Sequence, residues 1–141
     1  MRLIEIIEAL KAAALSQPAV RSIVPNDVYR LNATPNANYG VFSFVQGTHS
    51  RDENENFIRY AFTLFYVDRL TEDKQNEIEI QSTALDVLGN IIRSIEAAYC
   101  KGETQPINYT TFTESFSDEC AGAFATVEFP VPVDTICVEN Y

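Results

Sequence analysis

Phe57-Ile58-Arg59-Tyr60-Ala61-Phe62-Thr63-Leu64-Phe65-Tyr66-Val67 runs into Asp68-Arg69-Leu70-Thr71-Glu72-Asp73 and then into a long periodic stretch that ends at Tyr99. The first part reads as a strand, because aromatic and β-branched residues dominate it and it contains no Gly or Pro. Ile58, Tyr60, Phe62, Leu64 and Tyr66 are all large and apolar, while Phe57, Arg59, Ala61, Thr63, Phe65 and Val67 are mixed. A strand sends alternate residues to opposite faces, so the even face is expected in the core and the odd face partly covered. The second part changes period. Ile78, Gln81, Leu85, Leu88, Ile92 and Ile95 recur at three- and four-residue steps, with Ala84 and Ile91 beside them. That spacing predicts one buried face of a long helix. Strand and helix together form the spine of the chain.

Outward from this spine, Arg2 to Leu15 reads as a first helix with Leu3, Ile6, Ile7, Leu10 and Ala14 as its stripe, ended by Gln17-Pro18. Ala19 to Val24 reads as a further turn, Pro25-Asn26-Asp27 as a turn, Val28 to Leu31 as a short strand, and Asn32 to Asn38 as loop. Tyr39 to Gln46 reads as a strand joined to the Phe57 strand by the polar arm Gly47–Asn56. Hairpin connections are usually shorter than this, and a longer one is often used. Thr71, Asp73 and Asn76 are candidate N-caps of the long helix, and Lys101-Gly102 its stop. Gly89 in mid-helix points to close packing against a neighbouring element. Ile107 to Phe116 and Ala123 to Val131 read as strands around a turn at Ser117 to Gly122, and Pro130 and Pro132 suggest an edge. The expected fold class is α+β: an antiparallel sheet of about four to five strands with two helices packed on one face. Residues 1–133 are expected to form one domain and 134–141 a C-terminal tail.

Composition narrows the function. The chain has 141 residues, of which 46% are apolar, enough to bury roughly 70% of its extended surface in a single core. Ten basic against twenty acidic residues give a formal charge of −10, which disfavours binding nucleic acid through phosphate contacts. No apolar run approaches a membrane span, and the acidic Glu5 within the first apolar stretch argues against a signal peptide. Cys100, Cys120 and Cys137 are odd in number and widely spaced, which suits reduced thiols in a cytoplasm better than a disulfide framework or a zinc site.

Catalytic signatures do not emerge. His49, the single histidine, lies in the polar arm and reads as solvated. Asp52, Glu53 and Glu55 could approach a divalent cation, yet they lack the EF-hand spacing and its glycine, so solvated charge is the better reading. Glu72, Asp73, Glu77 and Glu79 fit the start of a helix, where acids complement the dipole. No nucleophile elbow, P-loop or dinucleotide fingerprint occurs.

The strand Tyr60–Val67, the turn Asp68–Asp73, and the helical stretch Asn76-Glu77-Ile78-Glu79-Ile80-Gln81-Ser82 with Ala84-Leu85-Asp86-Val87-Leu88 resemble the tail-terminator and tail-completion proteins of tailed bacteriophages. Among these the flavour is that of the neck ring proteins of the crAss-like phages. The resemblance extends to the N-terminal helix and the C-terminal strand pair, and so over most of the chain. It implies a virion structural protein that forms a ring, six- or twelve-fold, with itself. Such a ring would join portal or connector to tail and let DNA pass, with no enzyme activity, cofactor or metal. Its partners would be other connector, portal or tail proteins, with no membrane and no specific nucleic-acid binding. The alternative is an acidic inhibitor or DNA mimic that binds a host protein, and a third reading is a small enzyme or ligand-binding domain with an undisclosed pocket. On the ring reading, His49, Arg51, Asp52, Glu53 and Glu55 of the arm and Ile136, Val138 and Tyr141 of the tail are expected at subunit contacts. Glu72, Asp73, Glu77 and Glu79 are expected along the channel, and less firmly Glu114, Asp118 and Glu119.

Overall fold

In a computed structural model the chain is described over residues 3–25, 40–51, 56–70, 75–100, 107–115 and 119–132. The elements in chain order are α1 (Leu3–Leu15), β1 (Ser22–Pro25), β2 (Val41–Gln46), β3 (Phe57–Arg69), α2 (Glu77–Tyr99), β4 (Tyr109–Ser115) and β5 (Glu119–Pro132). The strands make one sheet in the order β1-β2-β3-β5-β4. Both helices pack against one face of it, giving an α+β fold.

The expectation of an all-antiparallel sheet is corrected at one pair. β1 runs parallel to β2, with Ser22 beside Val41 and Pro25 beside Phe44. Parallel neighbours need a long connection, and residues 26–39 lie between these two strands. The other pairs are antiparallel, and β3 with β5 forms the backbone of the sheet in an unbroken ladder from Phe57–Pro132 to Arg69–Cys120.

The alternation in β3 predicts its faces correctly. Tyr60, Phe62, Leu64 and Tyr66 are buried under the helices, and Ile58 packs at the margin of the same core. The core also takes Phe42 and Phe44 from β2, Ala123, Ala125, Val127, Phe129 and Val131 from β5, and Ile6, Leu10 and Ala14 from α1. Each fully buried large side chain contributes about 1.5–3 kcal/mol by leaving water. The opposite face carries a smaller cluster, Val41, Val67 and Cys120 with Val24, Phe65 and Phe112 against them. The Phe124 ring links Phe65 and Phe112 there, with centroids 5.8 and 6.3 Å away.

On α2 the buried face is Ile80, Ala84, Val87, Leu88, Ile91, Ile92 and Ile95. Ile78, expected in this stripe, is instead 73% exposed, and Leu85 is 37% exposed. Ile78 and Ile80 differ by 200° around a helix, and Ile80 is the one that meets Leu70 and Ala121 at the sheet. Gln81 is also off the core face, and its Nε2 donates to the Phe112 carbonyl of β4 at 3.3 Å. Asn76 is the N-cap, but its side chain caps no helical N–H; Nδ2 donates instead to the Arg69 carbonyl at 3.3 Å and ties α2 to the end of β3. Thr71, Asp73, Lys101 and Gly102 lie outside the described residues. The helix ends at Tyr99, and Cys100 leaves in extended conformation while its N–H still donates to Glu96 O.

Gly89 is not required by close packing. A Cβ there would meet the Tyr109 hydroxyl at 3.7 Å and Arg93 Nη2 at 3.9 Å, which is ordinary contact. Gly89→Ala is therefore expected to stabilise the protein by about 0.5–1 kcal/mol through the unfolded state and helix propensity. Thermal melting should rise by a few degrees, and a fall would show a crowding that the geometry does not contain.

Three boundaries also move. The turns expected over Ala19 to Val24 and at Pro25 contain β1 between them, and the turn expected over Ser117 to Gly122 contains the start of β5. β5 is interior where β4 pairs it, from Glu119 to Ala125, and is an edge only beyond that point. The short strand expected at Val28–Leu31 and the tail after residue 132 lie outside the described residues.

Candidate functional site

The described residues that flank the expected contact segments lie at one end of the sheet. The arm enters β3 at Phe57, and residues 133–141 follow Pro132, which is the β-partner of Phe57. The last described residue before the 133–141 segment and the first residue of β3 after the arm are therefore β-partners on neighbouring strands.

The first residues of the arm fold back on β3 rather than standing away from it. Gly47 N–H donates to Ala61 O at 2.8 Å, and Ser50 and Arg59 exchange both backbone bonds at 3.1 and 2.8 Å. From Gly47 to Ser50 the arm advances three residues while β3 retreats two, from Ala61 to Arg59. One residue is thus in excess, which is the count of a β-bulge.

His49 fills that excess, and its expected solvated position is corrected. Its Nδ1 accepts the Ala61 backbone N–H at 3.0 Å, taking the place of a backbone carbonyl. With Nδ1 accepting, the ring proton sits on Nε2, which donates to Gln46 Oε1 at 3.1 Å. The half-buried ring also packs on Tyr60 and Phe62, with centroids 5.5 and 5.7 Å away. A sequence signal existed in the aromatic pair two residues apart on β3. The register that sets His49 beside it depends on the bulge, which composition does not encode.

His49→Ala would leave the Ala61 N–H without an acceptor in a buried position and remove two ring contacts. The expected loss is about 2 kcal/mol, within the range for an orphaned buried donor. Faster hydrogen exchange at the Ala61 amide would accompany it, and an unchanged amide would show that the imidazole bond carries no weight.

Arg51 is exposed at the edge of the described arm, and Asp52, Glu53 and Glu55 lie outside the described residues, as do Ile136, Val138 and Tyr141. Of the expected channel acids, Glu72 and Asp73 also lie outside them. Glu77 is half-buried and its Oε1 accepts from Thr113 Oγ1 at 2.8 Å, which fixes it to β4. Glu79 is exposed. Glu119 opens β5 at the same end of the sheet, paired with Ser115, and Glu114 pairs with Cys120; Asp118 lies outside the described residues.

The described acids at the start of α2 do not share a site with the described part of the arm. The start of α2 is tied to Arg69, and the arm to Arg59, ten residues earlier on β3. At about 3.3 Å per residue the two groups stand roughly 33 Å apart, at opposite ends of the sheet.

Among the described residues no group of His, Cys, Asp and Glu is placed to hold a metal ion. Burial, and then the Glu96 charge, push the Cys100 thiol up to about 11, so it stays protonated and weakly nucleophilic at neutral pH. Cys120 is buried. Burial pushes the Tyr66 hydroxyl up to about 12, and that hydroxyl donates to Ala19 O at 3.2 Å, tying β3 to the segment after α1. Ser43 is fully buried on the face away from the helices, and its Oγ has no hydrogen-bond partner among the described residues. No described helix is long and apolar enough to cross a membrane. The chain matches no family model and no curated protein.

Proposed function

We propose that this chain is a structural subunit of a cyclic ring at the neck or tail end of a tailed-phage particle, joining connector or portal to tail and letting DNA pass through its lumen. The observation that carries the reading is the separation along β3. The described root of the arm and the Phe57–Pro132 pair, after which residue 133 follows in sequence, stand at one end, and the acids of the α2 start stand about 33 Å away at the other. A ring subunit needs two different surfaces for its two neighbours and a third for whatever passes through. Two segments whose described ends lie together suit contact with a neighbour or an adjacent ring, and the polar composition of the arm suits a wet, hydrogen-bonded interface. Carboxylates at the far end are left to face a channel.

A negative lining has a physical rationale. Lys and Arg would hold phosphates through counterion release and slow the passage of DNA. Carboxylates repel the duplex, within the roughly 8–10 Å over which charges act at physiological salt.

Mixing the protein with connector, portal and tail proteins and imaging the product tests the ring. A closed ring with a lumen wide enough for duplex DNA supports the reading, and a chain that stays monomeric with every partner removes it. Replacing Arg51 to Glu55 with a short Gly-Ser turn should leave the subunit folded and impair assembly, because the root of the arm at Gly47–Ser50 is untouched. Charge reversal of Glu72, Asp73 and Glu79 to Lys should leave particles assembled and slow DNA ejection. Unchanged ejection would exclude these acids from the channel.

A further inference from the structure

β4 is one of the two outer strands of the sheet, and its open side can be worked out residue by residue. Gly47 and Ser50 bond to Ala61 and Arg59, so the odd residues of β3 turn their backbone groups toward β2. The even residues of β3 therefore bond β5 through Val131, Phe129, Val127 and onward at odd positions. Even residues of β5 face β4, where Cys120, Gly122 and Phe124 meet Glu114, Phe112 and Thr110. That leaves the N–H and C=O groups of Tyr109, Thr111 and Thr113 pointing away from the sheet.

Among the described residues no strand pairs with them. Asn108, Tyr109, Thr110, Thr111 and Thr113 are all exposed, and Phe112 is half-buried. Protein sheets usually guard such an edge with charge, proline or a bulge, and the other open edges here are guarded. Beyond Ala125 the open side of β5 falls on even residues, among them Pro130 and Pro132, which have no N–H to give. β1 is four residues long and ends in Pro25. The β4 run from Ile107 to Thr113 has no charge, no proline and no bulge, in a chain of net charge −10.

We propose that the edge of β4 pairs antiparallel with β4 of a second copy of this chain, centred on Thr111, so that the two sheets become one. The register is self-complementary. Thr111 meets Thr111 of the second copy, Tyr109 meets its Thr113, and Thr110 meets its Phe112. Every outward N–H and C=O of the three odd residues then finds a partner. Each aromatic residue faces a threonine, a favourable cross-strand pairing, and no charge faces a like charge. Two copies that are each strongly acidic meet with least repulsion along an uncharged strand.

The helix layer agrees with this axis. Glu77, Gln81, Leu85 and Gly89 form one ridge of α2 at four-residue steps. Glu77 bonds Thr113, Gln81 bonds the Phe112 carbonyl, and Gly89 lies against Tyr109. Leu85 lies on that ridge between Gln81 and Gly89, and it is a large apolar residue left 37% exposed. The two-fold axis would bring it against its own counterpart.

The pairing is a two-fold contact and does not depend on the ring reading. Sedimentation of the full chain from about 1 µM to 1 mM should show a monomer–dimer equilibrium. Thr111→Pro removes the central outward N–H and should weaken that equilibrium by about 100-fold, with the circular dichroism spectrum and melting retained. Thr111→Lys, which adds a charge without a backbone change, should act the same way if the proline variant misfolds. Register is read by oxidation. Thr111→Cys should cross-link to its own counterpart, since a hydrogen-bonded antiparallel pair sets Cα atoms about 5.5 Å apart, within disulfide range. Thr113→Cys, which faces Tyr109 of the second copy, should cross-link no more than wild type. A wild-type chain that stays monomeric at 1 mM overturns the proposal, as does a Thr111→Lys chain that associates like wild type. Capture of an extended strand from a different protein by a monomeric chain also overturns it. A ring that still closes with Thr111→Lys keeps the ring reading whatever the sedimentation and cross-linking show, so the two readings fail separately.

Discussion

Gly122→Ala is expected to abolish or nearly abolish the folded state, with a loss above about 4 kcal/mol, larger than most single substitutions produce. Gly122 sits in β5 opposite Val67 of β3 and Phe112 of β4. A Cβ built on it would overlap the Tyr66 carbonyl oxygen, and would lie 2.9 Å from the Tyr66 carbonyl carbon and 3.1 Å from Val67 Cα. All three are backbone atoms, so no side chain can rotate to make room. The strands would have to separate near the Arg69–Cys120 end of the longest ladder in the sheet, next to the buried Val67, Cys120 and Ala121. Glycine in a strand interior often marks such a close approach of another backbone. With total stabilities of about 5–15 kcal/mol for domains of this kind, the variant should be recovered mainly as insoluble or unfolded chain. A denaturation midpoint within about 1 kcal/mol of wild type would mean that the two strands are less tightly apposed than the structure has them.

The same glycine explains one place where the sequence misleads. Glu119-Cys120-Ala121-Gly122 carries a glycine and a charge and so reads as a turn. It is a strand because Gly122 admits the β3 backbone, a tertiary reason that local composition does not carry. β1 is hidden for a related reason. Ser22–Pro25 is too short for its own alternation to register, and it becomes a strand only by pairing with Val41–Phe44, across the intervening residues 26–39. By contrast, β3 and α1 are legible because each has one face in the core, and burial writes its period directly into the residue pattern. For α2 the period is legible and so is most of the buried face, with Ala84, Leu88, Ile91, Ile92 and Ile95 buried as expected, but Ile78, Gln81 and Leu85 fall off it. Isoleucines stand at both 78 and 80, and only contact with Leu70 and Ala121 decides that Ile80 turns inward.

For the candidate site, the length and polarity of the arm mark it in the sequence, and the role of His49 does not show. A lone histidine in a polar stretch reads as solvated, because nothing in the sequence tells that a bulge directs it onto Tyr60 and Phe62. The nearness of Phe57, where the arm ends, to Pro132 follows from the β3–β5 register, and so does the distance from both to the acids of α2. Pairing register joins residues 75 apart in sequence, such as Phe57 and Pro132, and no local pattern encodes it.

Phe62→Ala should be nearly as damaging as the glycine change, costing about 3–5 kcal/mol, and its effect should reach the arm. Phe62 has no exposed surface and stands at the centre of the aromatic packing under the helices. Its ring lies 6.2 Å from Phe44 at a near-perpendicular 75°, and 6.2 Å from Phe129 at 49°. Removing it forfeits the transfer free energy of a buried phenyl group, leaves a cavity between three strands, and loses ring contacts worth about 0.5–1.5 kcal/mol each. The third neighbour is His49, 5.7 Å away, whose imidazole holds the Ala61 N–H. Without the phenyl ring the imidazole loses a wall of its seat, and the fold-back at Gly47–Ser50 loses a support. Phe62→Leu separates the two consequences. It refills most of the volume and should recover much of the stability, yet it cannot restore the aromatic contact to His49. Hydrogen exchange at the Ala61 and Arg59 amides reads the arm while a denaturation midpoint reads the core. Ala61 exchange should stay elevated in Phe62→Leu after the midpoint has largely recovered. If both readouts recover together, the arm depends on the bulk of the core alone, and the imidazole–phenyl contact does not support it.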